Sequence, residues 1–141
     1  MNILYKTQAK ATGGRTGHVA TTDGSFSVDL VTPKELGGPG GPGQNPEQLF
    51  ASGYAACFLG ALKFVAGQRK QRLTDDSSVT ASVGIGRRDD GRGFGLDVEL
   101  SISLPGVDAA VARELVEQAH VVCPYSHATR NGLEVRLTLA A

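Results

Sequence analysis

Short runs of alternating apolar and polar residues fill most of this chain, and one long apolar run interrupts them. Ile3 to Ala11 alternates weakly and is rich in Tyr and Thr, which predicts a first strand. His18 to Thr21 predicts a second. Asp23-Gly24 is a hairpin dipeptide. Beyond it Phe26, Val28 and Leu30 alternate with Ser25, Ser27 and Asp29, a third strand. Between the first two strands the glycines of Thr12-Gly13-Gly14-Arg15-Thr16-Gly17 predict a turn with Arg15 at its tip. The three pieces make an antiparallel meander.

Further on, Val79, Ala81, Val83 and Ile85 alternate, and Asp89 to Gly93 turns. Phe94, Leu96, Val98, Leu100, Ile102 and Leu104 then alternate without a fault, the signature of a half-buried strand antiparallel to the one before it. Pro105-Gly106 ends it. Asp108 is placed to cap a helix whose apolar stripe is Val111, Leu115, Ala119 and Val122. Cys123-Pro124 stops that helix. Leu133, Val135, Leu137 and Leu139 alternate with polar residues and predict a last strand.

The long run, Leu49 to Ala66, is a helix with its start written out. Asn45 is a cap, Pro46 fits the first helical position, and Gln48 sits where a capping box returns its hydrogen bond. Almost every side of this helix is apolar, Ser52 and Lys63 being the main exceptions. Small and polar residues interrupt it too often for a membrane span. A helix apolar all round is buried all round. Two small sheets in one chain hardly cover it on every face, so a second copy is expected to. The layout is three strands, a helix, two strands, a helix and a strand: an α+β fold with antiparallel sheets around a buried central helix, in an intertwined homodimer.

At 141 residues the chain reads as a single domain, 1–141, able to bury its own core. Fourteen basic and fourteen acidic residues cancel, which points away from nucleic acid and from an anionic membrane. No signal segment opens the sequence, so a cytoplasmic, reducing location is expected, where two cysteines are working thiols or inert core rather than a staple. The glycine-rich stretch Pro33 to Gly43 has the spacing of neither common nucleotide fingerprint and reads as a loop leading into the helix.

Candidate chemistry centres on Cys57, in the middle of the long helix. Alone, a cysteine in an apolar helix is usually inert. Three features point the other way. Ala55-Ala56 and Phe58-Leu59 give Cys57 close, apolar surroundings; Cys123 lies where a helix breaks; and Arg15 offers a cation on a glycine-flanked turn. A thiolate is the reactive form, and burial alone suppresses it. Arginine restores it because it stays charged when buried, and a buried arginine needs a carboxylate, for which Glu47 is the best placed. His120, Cys123 and His127 invite a metal reading, but Pro124 breaks their register and the paired ligand spacings are missing, so no metal and no cofactor are expected. His18 is expected at the surface, and no Ser-His-Asp arrangement stands out.

Asn45-Pro46-Glu47-Gln48-Leu49-Phe50-Ala51, Gly53-Tyr54-Ala55-Ala56-Cys57-Phe58, Val122-Cys123-Pro124-Tyr125-Ser126 with Ala128-Thr129-Arg130, and Thr12-Gly13-Gly14-Arg15 together resemble the organic hydroperoxide resistance branch of the OsmC/Ohr family, nearly end to end. That resemblance implies an intertwined α+β homodimer. It implies thiol-dependent reduction of organic hydroperoxides, fatty-acid hydroperoxides among them, with lipoylated proteins or dihydrolipoamide as reductant. It makes Cys57 the peroxidatic cysteine and Cys123 the resolving one, with Arg15 and Glu47 in support. The rival readings are a general OsmC-type peroxidase, a lipid-binding module with redox-sensing cysteines, and a purely structural dimer.

One distance constrains the site. Glu47 and Cys57 are ten positions apart, a rise of about 15 Å on a straight helix, and point some 80° apart. Glu47 therefore does not touch the Cys57 of its own helix, and a site shared between subunits is expected: Cys57 from one chain, Arg15 and Glu47 from the other.

Overall fold

A computed structural model describes residues 1–133 and 135–139. The chain divides into two compact units, Met1–Phe50 and Ala51–Ala141.

The first unit holds the predicted meander. Strands β1 (Ala9–Thr12), β2 (His18–Thr21) and β3 (Ser27–Asp29) form one antiparallel sheet in that order. Thr12 pairs with His18 and His18 with Asp29, so register is fixed across all three strands. Thr21, Asp23, Ser25 and Phe26 knit the Asp23-Gly24 turn through side-chain and backbone hydrogen bonds. The first strand is shorter than its alternation predicts. Residues 1–8 are outside any strand, with Ile3, Leu4 and Tyr5 exposed. A strand needs a neighbour for its N–H and C=O groups, and β2, only four residues long, ends too soon: the pairing runs out at the Gln8 carbonyl, which accepts from the Thr22 N–H at 2.9 Å.

The second unit contains a long hairpin and the helices. β4 (Ser78–Arg87) and β5 (Phe94–Ser103) pair antiparallel from Ser78↔Ser103 to Arg87↔Phe94, the register that the alternation on both strands requires. Helix α1 (Pro46–Gln68) begins at the end of the first unit and runs through the start of the second. Its capping box is complete: Asn45 N–H donates to Gln48 Oε1 and Gln48 N–H to Asn45 Oδ1, both at 2.9 Å. Helix α2 (Ala109–Val122) is capped by Asp108, whose carboxylate accepts from the N–H groups of Ala110 and Val111.

As expected of one chain with two small sheets, helix α1 is not covered on every face by its own chain; two other expectations need correction. Tyr54, Phe58, Ala61, Leu62, Val65 and Ala66 are buried, at helical spacing, but Ser52, Ala56, Gly60, Lys63 and Gly67 are exposed and Phe64 is 57% exposed. The helix is long and apolar enough to cross a membrane by composition, yet buries a face within this chain as core helices do. On α2 the stripe runs Leu115, Ala119 and on to Cys123, all fully buried, while Val122 is 45% exposed. A four-residue step keeps to one face, and Val122 lies a residue off it. The last predicted strand, Leu133 to Leu139, is absent from its described residues (133 and 135–139), where the leucines and Val135 are exposed. Alternation prepares a strand for one buried face, but without a partner edge the strand does not form.

A third helix was not expected. Pro124 does end α2, and Cys123 takes the extended conformation that a following proline favours. But Pro124 also occupies the first position of a new helix, α3 (Pro124–Asn131), where a proline needs no N–H partner. Read as a stop, it is equally a start.

Candidate active site

The four residues singled out by the sequence come together as two pairs, one in each unit.

Arg15 sits on a single 3₁₀ turn, Gly14–Thr16, between β1 and β2. Gly13 opens the turn at φ 72°, a left-handed conformation that suits glycine. Gly17 closes it where a Cβ would lie 1.8 Å from the Thr12 carbonyl oxygen, so no other residue fits. Thr32 Oγ1 donates to the Arg15 carbonyl and ties the turn to the following loop. Glu47 stands in the first turn of α1, where the helix dipole favours a negative charge. The guanidinium grips the carboxylate in both prongs: Nη1 to Oε2 at 2.9 Å and Nη2 to Oε1 at 2.5 Å. Glu47's side chain is 12% exposed and Arg15's 36%. The hydrogen bond from Arg15 holds the Glu47 carboxyl below its ordinary range, and the bond to Glu47 raises Arg15 further above its own. The pair is therefore charged throughout the neutral range. A bidentate pair also fixes the plane of the guanidinium, which a lysine does not do.

Cys57 and Cys123 are both free thiols, the first half-buried and the second fully buried. Their sulfurs are 3.7 Å apart, with the Cys123 thiol donating to Cys57. Cys57 lies in the middle of α1; Cys123 is the single extended residue between α2 and α3. Burial pushes the Cys57 thiol above its ordinary value, and the neighbouring Cys123 adds to that rise. The backbone N–H of Tyr125, in the first turn of α3, acts in the opposite sense by donating to the Cys57 sulfur. The arrangement suits one reaction above others: a sulfur oxidised at Cys57 has a second thiol already in contact.

Sequence reasoning missed the residues that fasten α3 beside Cys57. Tyr54, one turn before Cys57 and buried, bonds through its hydroxyl to Ser126 Oγ at 2.9 Å and Thr129 Oγ1 at 3.3 Å. The signal was the three-residue spacing of Ser126 and Thr129 just after a proline that opens a helix. The histidines behave otherwise. His18 bonds Asp29 at 2.7 Å and Ser27 at 2.9 Å on an exposed sheet face, a cross-strand polar ladder. His120 lays its ring against Phe58. Among the described residues no group of three or more His, Cys, Asp or Glu side chains is placed to hold a metal ion.

Sequence and fold are both similar to those of known proteins. The family model described as "OsmC-like protein" matches residues 38–138. The organic hydroperoxide resistance protein of Xanthomonas axonopodis pv. citri is 54% identical over 138 residues, covering 98% of this chain and 96% of its own. The organic hydroperoxide resistance protein OhrB of Bacillus subtilis is 42% identical over 136 residues, covering 96% and 98%. Among solved structures, an organic hydroperoxide resistance protein from Legionella pneumophila superposes with a TM-score of 0.86 at 50% identity, over 93% of both chains. The structure of B. subtilis OhrB superposes at 0.82 and 40% identity, over 98% of this chain and 100% of its own.

Proposed function

The chain belongs to the OsmC-like family, in its organic hydroperoxide resistance branch, and from that premise we propose that it is a thiol peroxidase acting on organic hydroperoxides. The observation that carries the proposal is the contact of two reduced cysteines, 3.7 Å apart, in a chain of this family.

The Cys57 thiolate attacks the distal oxygen of ROOH. The O–O bond breaks, the alkoxide takes a proton and leaves as ROH, and Cys57 becomes a sulfenic acid. The Cys123 thiol then attacks the oxidised sulfur, hydroxide leaves as water, and a Cys57–Cys123 disulfide forms. A dithiol, dihydrolipoamide or a lipoylated protein, reduces that disulfide by exchange and is itself oxidised. Arg15, held in plane by Glu47, supplies the positive charge that favours the thiolate and steadies the charge developing along the breaking O–O bond. The exposed side of α1 supports a homodimer, in which the Arg15–Glu47 pair of one protomer serves the Cys57 of its partner. Apolar neighbours of Cys57, Phe58 and Leu59 among them, favour alkyl and fatty-acid hydroperoxides over small, polar hydrogen peroxide.

The test is stopped-flow consumption of an organic hydroperoxide, with dihydrolipoamide as the only reductant, by the wild-type protein and by Cys57→Ser. Turnover by the first and none by the second is expected. A wild type that binds fatty acid but consumes no peroxide would replace this reading with the lipid-binding module.

A further inference from the structure

Burial raises the Cys57 thiol, the backbone N–H of Tyr125 acts against that rise, and the packing of Tyr125 fixes where that N–H stands. Gly53 and Cys57 are one turn apart on α1 and share a face. The Tyr125 ring lies over Gly53: a Cβ there would stand 2.9 Å from the Tyr125 hydroxyl oxygen, 3.3 Å from Cε2 and 3.4 Å from Cζ. The same ring tilts against Tyr54, with centroids 5.7 Å apart. The Tyr54 hydroxyl in turn holds Ser126, the next residue of α3, and Thr129 one turn on. The first turn of α3 is thus pinned to α1 from two sides, at the residue whose backbone N–H acts on Cys57.

We propose that Tyr125 is a positioning residue for Cys57: its ring, seated on the bare backbone of Gly53, holds the start of α3 so that the Tyr125 N–H donates to the Cys57 sulfur. This deepens the peroxidase reading and rests on it for its purpose, although the hydrogen bond itself does not depend on any peroxide. A hydrogen bond to an ionised acceptor is roughly twice as strong as a neutral one, and the positive end of a helix adds to it. The N–H therefore favours thiolate over thiol inside a site whose burial does the reverse. It also accounts for a glycine one turn before the cysteine, in a helix interior where glycine is locally unfavourable.

The experiment reads the Cys57 thiolate directly. In a Cys123→Ser background, which leaves a single thiol, the rate of alkylation by iodoacetamide is followed against pH, and thermal melting is followed alongside. Gly53→Ala displaces the ring, and Tyr125→Ala removes it. Each is expected to raise the midpoint by about one pH unit, a roughly tenfold slower reaction at any pH below it. Adding Tyr125→Phe to Gly53→Ala takes away the hydroxyl that the new methyl meets at 2.9 Å and is expected to bring the midpoint back towards the parent. A loss of general stability would move melting but would not be reversed in this pairwise way. Unmoved midpoints in both single variants overturn the proposal, as does failure of Tyr125→Phe to restore Gly53→Ala. Should Gly53→Ala not fold, Tyr125→Ala decides alone. If the wild-type protein consumes no hydroperoxide while the midpoints move as expected, the peroxidase reading is overturned and not the positioning; an active wild type with unmoved midpoints does the opposite.

Discussion

Cys57 and Cys123 are sixty-six positions apart in sequence, and their sulfurs touch at 3.7 Å. A disulfide needs them at about 2.05 Å. Cys57 is held inside a long helix, whereas Cys123 is the one extended residue between two helices, so closure draws on the α2–α3 junction. One equivalent of organic hydroperoxide should therefore give an intrachain disulfide. Non-reducing electrophoresis should show a protomer-sized band, and peptide mapping a Cys57–Cys123 linkage. A covalent dimer as the main product would show that the sulfurs resolve across chains.

The two cysteines have separable roles. Cys57→Ser should leave no peroxide reduction. Cys123→Ser should still undergo the first oxidation, seen as a sulfenic acid trapped by dimedone, but should lose disulfide recycling and pass on to sulfinic acid with excess peroxide. If Cys123→Ser alone stops the first oxidation, the assignment is reversed.

The Arg15–Glu47 pair gives a signed pH dependence. Glu47's carboxyl is lowered by its bond to Arg15. Its stabilising contribution is therefore full above the free glutamate value, about 4.3, and is lost as pH falls through the lower folded value. Melting temperatures of wild type and Glu47→Gln should differ by a constant amount from neutral pH down to about that value, then converge in stronger acid. Arg15→Lys keeps a charge but not the two-pronged grip. It should cost peroxidase rate tenfold or more, about 1.4 kcal/mol, while folding survives.

Cys57 on its own chain is a poor thiolate, since burial raises its pKa and Cys123 raises it further. Sign follows directly: the reactive fraction grows as pH rises and is small near neutrality unless a cation is added. If the partner protomer supplies Arg15, dilution that dissociates the dimer should raise the alkylation midpoint of Cys57 and remove activity together. A midpoint and activity independent of oligomeric state would leave the dimer a role in burial alone.

Tyr54→Phe tests the fastening of α3. It removes a buried hydroxyl and leaves fully buried Ser126 without that partner. An unsatisfied buried group costs about 1–3 kcal/mol. Urea unfolding should show a loss of that order, and Ser126→Ala added to Tyr54→Phe should recover part of it, because both halves of the polar pair are then gone.

Much of this molecule is local and was written in the sequence. The capping box of Asn45 and Gln48, the Asp108 cap, the Asp23-Gly24 turn and the β4–β5 hairpin each depend on residues a few positions apart, whose side-chain period and backbone preferences act before any long-range contact forms. The same holds for the Arg15 turn, where glycines admit a conformation that side chains forbid. Motifs carried the family, and with it the choice of Cys57, Cys123, Arg15 and Glu47. Alternation alone could not decide whether Ile3 to Gln8 or Leu133 to Leu139 become strands, because a strand exists only with a neighbour to take its hydrogen bonds. Nor did a proline after a cysteine say whether it ended one helix or began another. It does both, and the second role aims the Tyr125 N–H at a sulfur on α1. That Tyr54 finds Ser126, that Tyr125 lies on Gly53, and that two cysteines meet are matters of packing between segments roughly seventy residues apart. Sequence spacing carries no information about such meetings, because they are decided by which apolar faces the folded chain brings together.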